Sequence, residues 1–279
     1  MSHQCVFILN TTLKNGMDLD TTKKWVEEGA HCHVGTSKNI FVFLHGFGGS
    51  PYDVYPLANR LIELNETCLA SVIIGQAQMK WDEPLVSADA IISHSGALLN
   101  QGLQLKSSGK RLVVVGFSMG GALSIIHAER IQPDAIILLA PYLGLKQGRW
   151  LFERLAQPLS KIIPVVPKLS EGRISSRAGA KVYKSGSRWL SIPAVFELQM
   201  IAAMAQKALP KITCPVLWCH APRDPVADYE LVLSKIPAHA KQVKCHRSQH
   251  VLLFDHDSDL IVSQVLEFIQ EISTDPAVP

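Results

Sequence analysis

The sequence predicts a single α/β domain in which a mostly parallel sheet carries helices on both faces. Three observations lead there. Unbroken apolar runs rich in β-branched residues recur at residues 40–44 (I-F-V-F-L), 112–115 (L-V-V-V) and 135–140 (A-I-I-L-L-A), and short runs without alternation mark strands buried on both faces. Stretches of helical apolar spacing separate these runs, which implies β-α-β crossovers and parallel pairing. At 279 residues, with 47% hydrophobic and 18% charged side chains, the chain has the make-up of a globular protein with one large core, so residues 1–279 are read as one domain.

Residues 6–9 read as a first strand, followed by a turn at Lys14, Asn15 and Gly16. That apolar stretch is far shorter than a signal-peptide core and no later run matches a membrane span, so the expectation is a cytoplasmic protein. His31 and His33 would share a face of an extended segment, but two ligands without a nearby third make a poor metal site. A sheet-edge hairpin leading through Gly35 and Asn39 is the expected structure there. The six cysteines lack C-x-x-C spacing and read as free thiols of a reducing compartment. Beyond the strand at 40–44, residues 55–64 have helical periodicity and 69–74 read as a strand. Residues 87–105 form an amphipathic helix with Ala88, Ile91, Ile92, Ala97, Leu98 and Leu103 facing inward.

Residues 111–121 read R-L-V-V-V-G-F-S-M-G-G, a buried strand that breaks at G-x-S-x-G and continues as a helix. A chain forced from strand to helix at one residue strains that residue, and glycines two positions before and after it remove the collisions. The turn leaves the Ser118 hydroxyl at the carboxyl end of the strand. It also leaves the Met119 amide at a helix N-terminus, where negative charge is stabilised. The strand at 40–44 runs into His45-Gly46-Phe47-Gly48-Gly49-Ser50, whose glycines let backbone approach a bound group. A phosphate cradle is the rival reading, but neither a Walker lysine nor G-x-G-x-x-G accompanies it. His45 reads as a structural hydrogen-bonder within this loop.

After Pro141 the pattern changes. Residues from about 142 to 195 hold helical apolar fragments (Trp150, Leu151, Leu155, Leu159, Ile162, Ile163) interrupted by Pro158, Pro164, Pro167 and Pro193, as in an inserted cap. They carry ten Lys and Arg against two Glu. Such a cap suits an anionic substrate or weak contact with an anionic lipid surface, although a solvated basic face explains it as well. The net charge of +3 does not indicate a nucleic-acid partner. A helix follows from Phe196 to Leu209, then a strand at 214–219 that ends in H-A-P-R-D-P-V. A carboxylate in that loop can orient an imidazole; Asp224 is the candidate and Asp228 the reserve. The last strand begins at Val243 and leads to a terminal helix from Leu260 to Ile272. Of His246, His250 and His256, only His250 sits in the strand-to-helix loop on the nucleophile's side, and His220 reads as a bystander.

The order Ser118, Asp224, His250 is that of an α/β-hydrolase triad. In the H-G-F-G-G-S loop (45–50), the G-F-S-M-G-G elbow (116–121), P-V-L-W-C-H-A-P-R-D-P-V (215–226) and S-Q-H-V-L-L-F-D (248–255), the chain resembles the carboxylesterase and monoacylglycerol-lipase branch of the α/β-hydrolase superfamily. The resemblance implies hydrolysis of a small-molecule or lipid ester, with Ser118 as nucleophile, His250 as base and Asp224 as its partner. It also implies Phe47 and Met119 as oxyanion donors, with no metal or organic cofactor. The alternatives are a thioesterase or lysophospholipase acting on anionic acyl substrates, or a weakly catalytic ligand-binding module on the same fold. Two positions depart from those relatives: Gly75-Gln76-Ala77 stands where they carry Gly-His-Gly, and Gln249 where glycine is common.

Overall fold

The computed structural model describes residues 30–76, 85–106, 109–144, 163–167, 173–183 and 186–274. The strands are β1 (Ala30–His33), β2 (Asn39–Leu44), β3 (Thr67–Ser71), β4 (Arg111–Phe117), β5 (Ala135–Leu139), β6 (Val165–Pro167), β7 (Trp189–Ser191), β8 (Val216–His220) and β9 (Lys241–Lys244). Seven of them form one sheet in the order β1-β3-β2-β4-β5-β8-β9, and β6 pairs with β7 in a separate antiparallel ribbon. Within the large sheet only β1 runs antiparallel.

The unbroken apolar runs have the predicted cause. Side chains alternate across the sheet, and both faces are covered. Ile40, Val42, Leu44, Val114, Ile136, Leu138 and Trp218 point to one side. They pack there on α2 (Ala88–Lys106), α3 (Met119–Ile131) and α5 (Ile192–Ala208). Phe41, Phe43, Val113, Val115, Ile137, Leu139 and Leu217 point to the other, onto α1 (Tyr55–Glu63) and α7 (Ser258–Thr274). The two short helices are α4 (Arg177–Val182) and α6 (Tyr229–Leu233). Among the described residues no helix is long and apolar enough to cross a membrane.

Several expectations are corrected. β1 is an edge strand but not half of a hairpin with β2, because β3 lies between them. The connection crosses the start of β3 instead, where the Gly35 amide donates to Thr67 Oγ1 at 3.1 Å. The strand expected at 69–74 lies at Thr67–Ser71. On α2, Ala97 is exposed and Leu103 is 36% exposed, while Ser95, Gly96, Leu99 and Gly102 are buried. A Cβ at Gly102 would stand 2.5 Å from Val42 Cγ2 and one at Gly96 would stand 2.9 Å from His127 Cε1, so this helix meets the sheet and α3 at small residues that a count of apolar side chains passes over. α5 starts at Ile192, four residues before the predicted Phe196, because Ser191 caps it by accepting from the Ala194 amide at 3.3 Å. Pro193 falls in its first turn, where no amide is needed. The predicted strand at 6–9, the turn at 14–16, and Trp150, Leu151, Leu155, Leu159 and Ile162 lie outside the described residues; Ile163 is exposed.

The parallel registers bring the carboxyl ends of β2, β4, β5 and β8 to one edge. Leu44 pairs with Gly116, Gly116 with Leu138, and Leu139 with Cys219. The loops that leave this edge carry His45 to Gly49, Ser118 and Asp224.

Candidate active site

Ser118 occupies the one-residue junction between β4 and α3, with φ 53° and ψ −114°. A side chain rarely tolerates positive φ, and the strain of about 1–3 kcal/mol is held by surrounding structure. Here the Ser118 amide donates to Leu139 O at 3.0 Å, and Ser118 O accepts from the amides of Gly121, Ala122 and Tyr142. The hydroxyl makes no cap hydrogen bond to its own helix. It is left to meet an imidazole.

The flanking glycines answer a close approach of backbone. A Cβ on Gly120 would lie 1.9 Å from Leu44 O and 2.4 Å from Leu44 C, and one on Gly116 would lie 2.4 Å from Gly120 O. Because Leu44 is carbonyl backbone inside the sheet, Gly120→Ala is expected to destabilise the fold by about 3 kcal/mol or more. Chemical denaturation measures this, and a loss below about 1 kcal/mol would contradict the packing described.

Asp224 follows β8. Its Oδ1 accepts from the amides of Val226 (2.7 Å) and Ala227 (3.0 Å). Its Oδ2 lies 2.7 Å from His250 Nδ1 and 3.1 Å from His220 Nε2. Burial pushes the carboxyl up, but the electrostatic attraction and hydrogen bonds of the His250 and His220 imidazoles outweigh it and hold Asp224 well below the usual carboxylate range. His250 Nε2 is 3.0 Å from Ser118 Oγ. With an ionised Oδ2 on its other side, His250 carries its proton on Nδ1 and offers the Nε2 lone pair to the Ser118 hydroxyl.

The His250 loop is fixed by Asp255, which accepts from the amides of Ser175, Ser176, Gln249 and His256. The Val251 amide donates to Arg173 O at 3.0 Å, and the Phe117 ring sits 5.1 Å from the His250 ring. Asp228 is committed elsewhere, capping α6 through the amides of Glu230 and Leu231. His246 and His256 are exposed. The reading of His220 as a bystander is wrong: its ring is buried and donates to Asp224. The i, i+4 spacing of His220 and Asp224 within one loop was the signal available for it.

On the other side of Ser118, His45 Nε2 accepts from the Ile73 amide at 2.8 Å, so its proton is on Nδ1, 2.8 Å from Gly46 O. It is a structural residue, as expected. Gly46 N–H donates to Asp53 Oδ2, Tyr183 O–H to Asp53 Oδ1, and Ser187 N–H to Gly48 O. These bonds hold the loop from both sides, with Phe47 half-buried against the core. Met119 opens α3, and the first amides of a helix have no partner within it. Gln76, singled out as a departure, is buried, and its Oε1 accepts from the Gly48 amide at 2.8 Å. Gln76→Leu removes that acceptor one residue from Phe47. We expect about a tenfold or greater loss of kcat, since small displacements of a site can cost up to a hundredfold; an unchanged kcat would show that the loop holds its shape without Gln76.

Among the described residues no group of three His, Cys, Asp or Glu is placed to hold a metal ion. A search of curated protein sequences gives no match. Among solved structures, one from work on two metagenome-derived lipolytic enzymes is 23% identical with a TM-score of 0.73, covering 87% of this chain and 97% of that one. A soluble variant of monoglyceride lipase from Saccharomyces cerevisiae, in complex with a substrate analog, is 16% identical (TM-score 0.72; 87% and 90% covered). The monoacylglycerol lipase of Paleococcus ferrophilus is 15% identical (TM-score 0.70; 87% and 99%). What these share with this chain is the fold. The profile described as Serine aminopeptidase, S33, matches residues 35–257, and with the strand order and elbow above it assigns the chain to the serine aminopeptidase S33 family of α/β-hydrolases.

Proposed function

We propose that the protein is a serine hydrolase of carboxylic esters, of carboxylesterase or monoacylglycerol-lipase type. The observation that carries this reading is the unbroken hydrogen-bond chain from Ser118 through His250 to Asp224. Ser118 Oγ attacks the ester carbonyl carbon while its proton passes to His250 Nε2, and the amides of Phe47 and Met119 hold the oxyanion. When the tetrahedral species collapses, the bond to the leaving oxygen breaks and His250 protonates that oxygen, releasing the alcohol. Water then attacks the acyl-enzyme and gives its proton to His250, which returns it to Ser118 Oγ as the acid departs.

The segment from about 142 to 195 acts in this reading as a cap over the site. Its ten basic and two acidic residues offer little to an α-ammonium group, which disfavours aminopeptidase chemistry and suits neutral or anionic acyl substrates. Cys68, Cys219 and Cys245 are free, buried and pushed up by burial, which fits a reducing, cytoplasmic setting.

The test is a panel of acyl esters of graded chain length beside aminoacyl amides, with fluorophosphonate labelling of Ser118. Ester turnover with labelling is the expected result. Labelling without turnover would replace this reading with a ligand-binding one, and preference for the amides would return the chain to peptidase chemistry.

A further inference from the structure

His220 is 1% exposed and lies at the end of β8, four residues before Asp224 on the same loop. Its ring packs edge-on against the stacked pair of Trp218 (centroids 5.8 Å) and Tyr229 (5.4 Å), and its carbonyl accepts from the Cys245 amide at 2.9 Å. Nε2 faces Asp224 Oδ2, and Nδ1 is buried with no hydrogen bond among the described residues. Against an ionised carboxylate the Nε2 must carry the proton. Nε2 is the only ring position with a hydrogen-bond partner among the described residues, so the ring donates once, to Asp224. Packing alone would be served as well by a phenyl ring, which has no polar atom to leave unpaired.

The bond completes a set of four donors around one carboxylate: two amides on Oδ1, and His250 and His220 on Oδ2. We propose that His220 is a positioning residue for the acid–base pair, its Nε2–H fixing the plane of the Asp224 carboxylate so that Oδ2 stays aligned with His250 Nδ1 and, through it, with Ser118. The proposal rests on the acyl-transfer reading. Without His220, Oδ2 keeps a single anchor, and that anchor is the group that must hold its direction while its charge changes during turnover. Such a residue acts on the chemical step and not on substrate affinity.

Three variants test this: His220→Phe keeps the ring and deletes the donor, His220→Gln places an amide donor where Nε2 was, and His220→Asn is too short to reach. We expect His220→Phe to fold with a lowered Tm, because buried Asp224 loses one of its four donors, and to lose about ten- to a hundredfold in kcat at unchanged KM, the range for displaced catalytic geometry. The far-downfield proton resonance of His250 Nδ1–H should shift or broaden. His220→Gln should restore kcat and the resonance, and His220→Asn should not. Wild-type kcat in His220→Phe, or equal kcat in the glutamine and asparagine variants, overturns the proposal; if the phenylalanine variant does not fold, the Gln and Asn pair decides. Should the wild-type protein turn over no ester, the acyl-transfer reading fails, and the resonance alone then decides: a shift in His220→Phe reversed in His220→Gln sustains the positioning role, and an unmoved resonance ends it.

Discussion

Replacing Ser118 by alanine is expected to cut ester turnover by about 10⁵- to 10⁶-fold, the scale seen when a serine nucleophile that works as a unit with its base is removed. The variant loses the only oxygen at the elbow within reach of His250 Nε2. Residual turnover above the uncatalysed rate should persist, because the Phe47 and Met119 amides and the substrate contacts remain. Stability should change little, since the Ser118 backbone keeps its four hydrogen bonds and alanine meets the same positive φ. Steady-state kinetics and fluorophosphonate labelling check this together. A Ser118→Ala protein that retained more than about a hundredth of wild-type turnover would place the nucleophile elsewhere. His250→Ala is expected to fall to a similar level, with the double variant hardly lower, because either loss already breaks the chain.

How much of this could be read from the sequence follows from how local each signal is. The elbow was legible because Gly116, Ser118 and Gly120 form one contiguous motif between a strand and a helix, although the close approach that requires Gly120 is to the Leu44 backbone, far away in sequence. Asp224 and His250 were legible only through chain order, since 26 residues separate them and nothing in composition brings them together. The two departures were visible as letters without a meaning. Gln76 acquires one when the loop after β3 delivers its side chain to the Gly48 amide, a pairing 28 residues apart in sequence. His220 was dismissed because each histidine was weighed as a rival base, while its contact is to the acid. The inward face of α2 was read correctly at Ala88, Ile91 and Leu98 and wrongly at Ala97 and Leu103, for a related reason: Ser95, Gly96 and Gly102 are also buried, and hydrophobicity is blind to them. β1 went astray because hairpins are the default for neighbouring strands, and only the sheet as a whole shows that β3 occupies the position between.

Asp224→Asn is expected to lower kcat/KM by about 10⁴-fold, the cost of a wrong imidazole tautomer in triads of this kind. The amides of Val226 and Ala227 demand an acceptor at the Oδ1 position, so the asparagine oxygen turns towards them and its NH₂ takes the place of Oδ2. That NH₂ donates to His250 Nδ1, which moves the ring proton to Nε2 and sets one donor against another at Ser118. The same NH₂ faces His220 Nε2, whose only other protonation site, Nδ1, has no partner among the described residues. Stability supplies a separate check with a definite sign. Because Asp224 titrates well below its ordinary range in the folded protein, its ionised form stabilises the fold fully above the unfolded carboxylate value of about 3.9, and that contribution is lost as pH falls towards the folded value. The stability gap between wild type and Asp224→Asn should therefore be widest at neutral pH and narrow in acid. A gap that held constant or widened between pH 7 and strong acid, measured by chemical denaturation, would mean that the carboxylate is not held ionised by the two imidazoles.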